Sequence, residues 1–175
     1  MKKVWYSIVA VAFLLPLSAS AADSAAVLDA KVAEAIAAFK EEVNGGDVFL
    51  RQAAGYLVFP RVIKVGIGIG AETGEGALRV AGRTAAYYRT TSGSFGLQLG
   101  AQAKSIVIAF MTKESLAAFR ASSGWQVGID GSVALIDLGA GKQINTKNIK
   151  DPVVGFIFGA KGLMYNLTLE GTKIS

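Results

Sequence analysis

The sequence predicts an α+β protein with a mostly antiparallel, barrel-like or sandwich β core, an N-terminal amphipathic helix and one mid-chain helix. Short apolar segments, several striped with glycine, fill residues 55–111 and return after residue 125. Glycine-rich turns between such segments are typical of sandwiches and barrel-like sheets. Two segments show instead the three- to five-residue apolar spacing and the capping residues of helices.

The first 21 residues have the three parts of an export signal. Lys2 and Lys3 precede an apolar stretch over residues 4–17, and Ala19-Ser20-Ala21 fits a cleavage site. The stretch is shorter than the roughly 20 residues of a membrane span. We therefore expect a cleavable signal peptide over residues 1–21, a single domain over residues 22–175, and a periplasmic or secreted location.

Three segments predict helices. The first covers residues 23–43, can be capped by Asp23 or Ser24, and carries an apolar stripe. The members of this stripe are Val27, Val32, Ile36, Phe39 and Val43. Asp47 can cap a second, short helix that ends near residue 54, and Thr112 can cap the mid-chain helix over residues 112–122.

The remaining segments predict strands and turns. Residues 61–70 and 94–103 form glycine-striped strands with one apolar and one nearly bare face, because successive side chains point to opposite faces. The predicted turns lie at residues 71–76, 82–83 and 91–93. Further predicted strands are 77–81, 84–90, 105–111, 125–138, 153–158 and 162–169, with a loop over 139–151.

Rows of glycine in a strand mark close approach by another backbone, an aromatic ring or a ligand. The predicted close-approach positions are Gly66, Gly68 and Gly70, on one face of the first striped strand. Lys64 shares their parity, so the pattern places a cation beside this bare surface.

The composition excludes several function classes. The chain has no histidine and no cysteine, which removes Ser-His-Asp catalysis, disulfide frameworks and cysteine zinc sites. We expect no enzymatic activity, no metal and no cofactor. The formal charge of +5 includes Lys2 and Lys3, so the exported chain would be only mildly basic, at about +3. It has no run of five like charges, and we do not expect nucleic acid as a partner.

Several segments, in order along the chain, resemble the SYLF domain. They are GYLVFP at residues 55–60, GIGIG at 66–70, SFGLQLGAQ at 94–102, AFMT at 109–112, WQVGIDGSVA at 125–134 and GLMYNLTLEGTKI at 162–174. Together they span almost the whole exported chain. The resemblance implies a lipid-binding domain of a family without established enzymatic activity. It also implies, from eukaryotic relatives, membrane contact through an N-terminal amphipathic helix and a basic surface, and, from some fungal relatives, actin binding.

The resemblance leads us to expect anionic membrane phospholipids as the partner. The export signal is bacterial in style, and an exported bacterial protein would not meet actin in its own cell, so we do not expect actin as a partner. The predicted N-terminal helix is net acidic, unlike a typical membrane-surface helix. The candidate headgroup contacts are five cations near the first matching segments: Lys31, Lys40, Arg51, Arg61 and Lys64.

Two other functions fit the same pattern. The chain could be a structural or protein-interaction module of the envelope, with a protein partner still to be identified. It could also carry an apolar ligand inside the sheet, since glycines on an inward face would leave room for one.

Overall fold

The computed structural model describes residues 24–137, 150–162, 169 and 171–175, without the side chains of residues 94–99. The helices are α1 (Ala25–Glu42), α2 (Gly46–Gln52) and α3 (Lys113–Ala121). The strands are β1 (Gly55–Val80), β2 (Arg83–Phe110), β3 (Trp125–Gln126), β4 (Ala134–Asp137), β5 (Val153–Gly162) and β6 (Lys173–Ile174). The predicted signal peptide, most of the predicted 139–151 loop and most of the predicted 162–169 strand lie outside the described residues.

The fold is built on one long antiparallel hairpin of β1 and β2. Pairing runs from Gly55 opposite Phe110 to Val80 opposite Arg83. Ala81 and Gly82 close it, with φ of 50° and 76°. Two positive φ angles are what a two-residue hairpin turn of type I′ requires. The turn thus begins one residue before the predicted position.

The hairpin folds back on itself halfway along. A Cβ on Gly66 would lie 2.5 Å from the Cα of Gly70, and between them Gly68 has φ of 71°. We call residues 66–70, with the facing part of β2, the bend. It separates a first arm (residues 55–65 with 101–110) from a second arm (residues 71–80 with 83–93).

Inward-facing glycines hold the two arms together. A Cβ on Gly76 would lie 2.4 Å from the carbonyl oxygen of Val58, and one on Gly74 would lie 2.8 Å from that of Arg61. The predicted turns at 71–76 and 91–93 are therefore wrong. These residues are paired strand, with Thr73 opposite Thr91, and Gly74 and Gly76 serve close packing between the arms rather than chain reversal.

The other strands extend the two arms into a half-barrel mixed sheet. Beside the first arm, β5 pairs antiparallel with β2, and β4 pairs with β5 in parallel. Beside the second arm, β6 pairs with β2 and β3 pairs with β6. The broad α+β prediction is confirmed. The predicted strand over 125–138 is wrong, because a turn after Gln126 leaves only the short β3 and β4.

An apolar core lies between the arms and beneath α3. Phe110, Phe119 and Trp125 meet there, with ring centroids 4.7 Å apart for the first two and 5.7 Å for the last two. A Thr112–Ser115 capping box starts α3, as the sequence predicts for Thr112.

A second core packs α1 and α2 against the opposite face of the first arm. Phe39 of α1 contacts Phe156 and Phe158 edge-on, with centroids 5.1 and 5.4 Å apart. Ser24 caps α1 as predicted. Val27 is exposed, however, because the buried stripe of the helix begins one residue later, at Leu28.

The start of α2 differs from its prediction. Gly45, with φ of 86°, is the N-cap, and Asp47 lies in the first helical turn. There its carboxylate still suits the positive end of the helix dipole.

Candidate functional site

The inner surface of the folded hairpin changes from apolar to polar as it approaches the bend. Four polar side chains, each at most 6% exposed, face inward at that end: Lys64, Glu72, Gln102 and Lys104. The Nζ atom of Lys104 lies 3.0 Å from Oε1 of Glu72. That oxygen has no aligned hydrogen-bond donor in the described part of the chain, so attraction between the charges is the main interaction. This buried ion pair joins the two arms.

The outer surface at the same end is apolar. The exposed fraction is 39% for Ile63, 50% for Val65, 80% for Ile67 and 68% for Ile69. We call these four side chains the apolar tip. Strand parity explains this inversion of polarity, in which the inner surface is polar and the outer surface apolar. Because Lys64 and Glu72 lie inside, the alternate residues must point outward. Exposed large apolar groups mark interaction surfaces when they are contiguous.

The surroundings of the apolar tip are basic. Arg61 is exposed two residues before Ile63, and Lys161 is exposed on β5. Ile63 pairs with Ala103, and Ala103 pairs with Lys161, so the three side chains share one face of the sheet. Residues 52–71 and 76–113 contain no aspartate or glutamate. The outer surface of this end therefore favours anionic ligands.

The five cations proposed from the sequence do not form one surface. Lys40 and Arg51 both bind Asp47, Lys40 at 3.2 Å. Lys31 is exposed on α1, and Arg61 is exposed beside the apolar tip. The expectation for Lys64 needs correction, because its side chain is buried between the arms, where a headgroup on the protein surface would not reach it.

The three predicted close-approach glycines have different surroundings. Gly66 and Gly70 approach each other across the bend, so the partner is the chain's own backbone. Gly68 needs correction: among the described residues beyond its chain neighbours, no atom lies within 4 Å of the position of its Cβ, and its positive φ serves the bend instead. The tightest approaches between the arms are at Gly74 and Gly76, which the sequence placed in a turn.

The N-terminal helix is anchored on the second arm by Asp29. Thr84 Oγ1 donates to this carboxylate at 2.7 Å and Tyr87 Oη at 3.0 Å, with Arg79 nearby at 4.0 Å. The Thr84 hydrogen bond, more than the other contacts, lowers the pKa of Asp29. The hydrogen bond to Asp29 in turn raises the pKa of Tyr87. The apolar stripe of α1 is meanwhile buried in the second core.

Metal-binding groups and membrane-spanning helices are both absent from the part of the chain that the structure describes. No group of three or more Asp or Glu side chains there could hold a metal ion. No helix among these residues is long and apolar enough to cross a membrane.

A comparison with family models identifies the class of protein. Residues 91–175 match the Ysc84 family, described as "Las17-binding protein actin regulator". This match confirms, over residues 91–175, the resemblance to the SYLF domain seen in the sequence. The family is associated with lipid binding and actin regulation. A search of the curated proteins finds no match to the chain.

Sequence reasoning missed the apolar tip. The alternation of Ile67 and Ile69 with glycine was visible, but such residues normally face a core. The available signal was Lys64, which shares the parity of the glycines. Either the apolar face or the face with Lys64 and the glycines had to point inward. The structure places the face with Lys64 inside.

Proposed function

We propose that this chain is a non-enzymatic protein of the bacterial cell envelope that binds anionic phospholipid membranes peripherally. The observation that carries the proposal is the apolar tip, which is exposed beside the cations Arg61 and Lys161 in a segment, residues 52–71, without aspartate or glutamate. The association of the Ysc84 family with lipid binding supports it. The predicted signal peptide would deliver the domain over residues 22–175 to the periplasm or the outside of the cell.

Electrostatic attraction and the burial of apolar surface would both contribute to the free energy of binding. Arg61 and Lys161 are exposed and would each contribute on the order of 1 kcal/mol near an anionic surface. Transfer of apolar side chains out of water contributes about 25 cal/mol per Å² of buried surface. Since the first term is screened by salt and the second is not, their balance is measurable.

The carrier alternative is less well supported. A carrier would need space beside the inward-facing glycines. Val62 and Phe59 fill the positions next to Gly74 and Gly76 instead. Within the described residues, these glycines bring the arms together and leave no volume there for an apolar ligand. A protein-interaction role remains the competing outcome of the test below.

The test is vesicle flotation of the purified protein, with loss of the predicted signal peptide verified by mass spectrometry. Neutral and anionic phospholipid vesicles are compared at low and high salt. We expect binding to anionic vesicles that weakens, without vanishing, at high salt. Absence of binding under all four conditions would overturn the proposal and favour a protein partner.

A further inference from the structure

We propose that the bend of the hairpin, and not the N-terminal helix, is the element that enters the bilayer, with Ile67 and Ile69 reaching the boundary between headgroups and acyl chains. This inference rests on the proposed function and assigns its contact site. The occupant is the interface of an anionic phospholipid bilayer.

The N-terminal helix is not free to insert. Val32 and Phe39 are completely buried, and the rings of Phe39 and Phe156 are in edge contact. Asp29 holds the start of the helix on Thr84 and Tyr87. A membrane helix inserts its apolar face, so α1 would have to leave the second core and expose the first arm.

The apolar tip needs no rearrangement. Ile67 and Ile69 are already 80% and 68% exposed. Gly68, between them, is itself exposed, and no atom of the described residues beyond its chain neighbours lies within 4 Å of its Cβ position. The tip therefore presents both isoleucine side chains to its surroundings without a change of conformation.

The buried polar residues fix the direction in which the tip points. Turning its apolar side chains inward would require a one-residue register slip, which would also turn Lys64 and Glu72 outward. Such a slip would break the ion pair between Glu72 and Lys104 and the glycine contacts between the arms. The outward orientation of the tip is thus a property of the folded hairpin.

Charge selects the bilayer over a second copy of the chain. Arg61 and Lys161 flank the tip, and residues 52–71 supply no carboxylate to balance them. Two tips in contact would bring like charges together, which is unfavourable. An anionic lipid surface instead offers hydrocarbon to the isoleucines and phosphate to the cations, as interfacial binding requires.

The experiment compares an Ile67→Ser/Ile69→Ser variant with Ile129→Ser by flotation on anionic vesicles. Ile129 is a matched control, because it is 73% exposed but lies outside the folded hairpin. We expect the double variant to partition at least about tenfold more weakly, and the control to remain within about twofold of wild type. Ile67→Trp should strengthen binding, because tryptophan favours the membrane interface, and Ile129→Trp should not.

The outcomes separate this inference from the proposed function. If wild type binds and both Ile67 variants bind equally well, the bend is not the inserting element, although membrane binding stands. If wild type binds no vesicle, both proposals fail. A wild-type dimer in sedimentation that Ile67→Ser/Ile69→Ser dissociates, with unchanged vesicle binding, would assign the tip to a second copy and overturn the inference. Unchanged thermal unfolding of each variant verifies that the fold is intact.

Discussion

At the scale of single residues, glycine acts in this fold through the absence of a side chain. Gly76 lies against Val58 O and the ring of Phe59, whereas Gly93 of β2 is exposed and has no atom of the described residues within 4 Å of its Cβ position. Both were visible in the sequence as members of glycine-rich segments. Their different roles could not be predicted, because each depends on which residues the folded hairpin brings opposite.

Replacing Gly76 with alanine should therefore destabilise the protein, by about 1–3 kcal/mol or more, since the new Cβ would overlap backbone that cannot move freely. Gly93→Ala is the matched control and should be neutral or slightly stabilising. Urea unfolding followed by circular dichroism measures both. Equal stability of the two variants would contradict the close packing of the arms.

The ion pair between Lys104 and Glu72 is the second residue-scale feature. Both side chains are at most 5% exposed. Lys104→Met should cost about 3–5 kcal/mol, because it leaves a buried carboxylate without its counterion. The double variant Lys104→Met/Glu72→Leu should recover much of this loss. If Lys104→Met changes the free energy of unfolding by less than about 1 kcal/mol, the pair is not buried as described.

At the scale of elements, α1 is held by a stripe of buried residues and by one carboxylate. Periodicity predicted the helix and its Ser24 cap, because both signals are local. The anchoring of Asp29 by Thr84 and Tyr87 was not predictable, since these residues are more than 50 positions away along the chain.

This anchor predicts a pH dependence. The pKa of Asp29 in the folded protein lies below its ordinary value of 3.8, so its stabilising contribution is present above that value and is lost as the pH falls through the folded pKa. Asp29→Asn should lower the melting temperature at neutral pH and flatten its decline in acid. Glu34→Gln, an exposed position of the same helix, is the control and should keep the wild-type profile. Identical profiles for wild type and Asp29→Asn would contradict the anchor.

The strands, unlike α1, were predicted only in part by local signals, because their bounds depend on pairing with distant residues. Alternation identified most of the residues that lie in β1 and β2, but it divided each strand at its glycines and polar residues. The turn prediction at 71–76 failed because Thr73 and Gly74 have partners on β2, at Thr91 and Thr90. Pairing partners so far apart are a property of the tertiary fold, which local sequence patterns do not specify.

At the scale of the whole molecule, the broad α+β class followed from composition and spacing. The resemblance that the family model confirms over residues 91–175 followed from ordered motifs. The identity of the residues exposed on the surface did not follow from the sequence. Of the five cations selected from the sequence, Arg61 lies beside the apolar tip and Lys64 is buried within the hairpin. The inversion of polarity at the bend arises from the folding of one hairpin onto itself, and it determines which face meets the surroundings.

The most direct test of the central claim uses the absence of cysteine from the chain. Single variants Ile67→Cys and Ile129→Cys can be labelled with an environment-sensitive fluorophore and mixed with anionic vesicles. We expect a blue shift and increased emission at position 67 and no change at position 129. Emission that stays unchanged at position 67, while flotation shows the labelled protein bound, would contradict membrane entry by the bend.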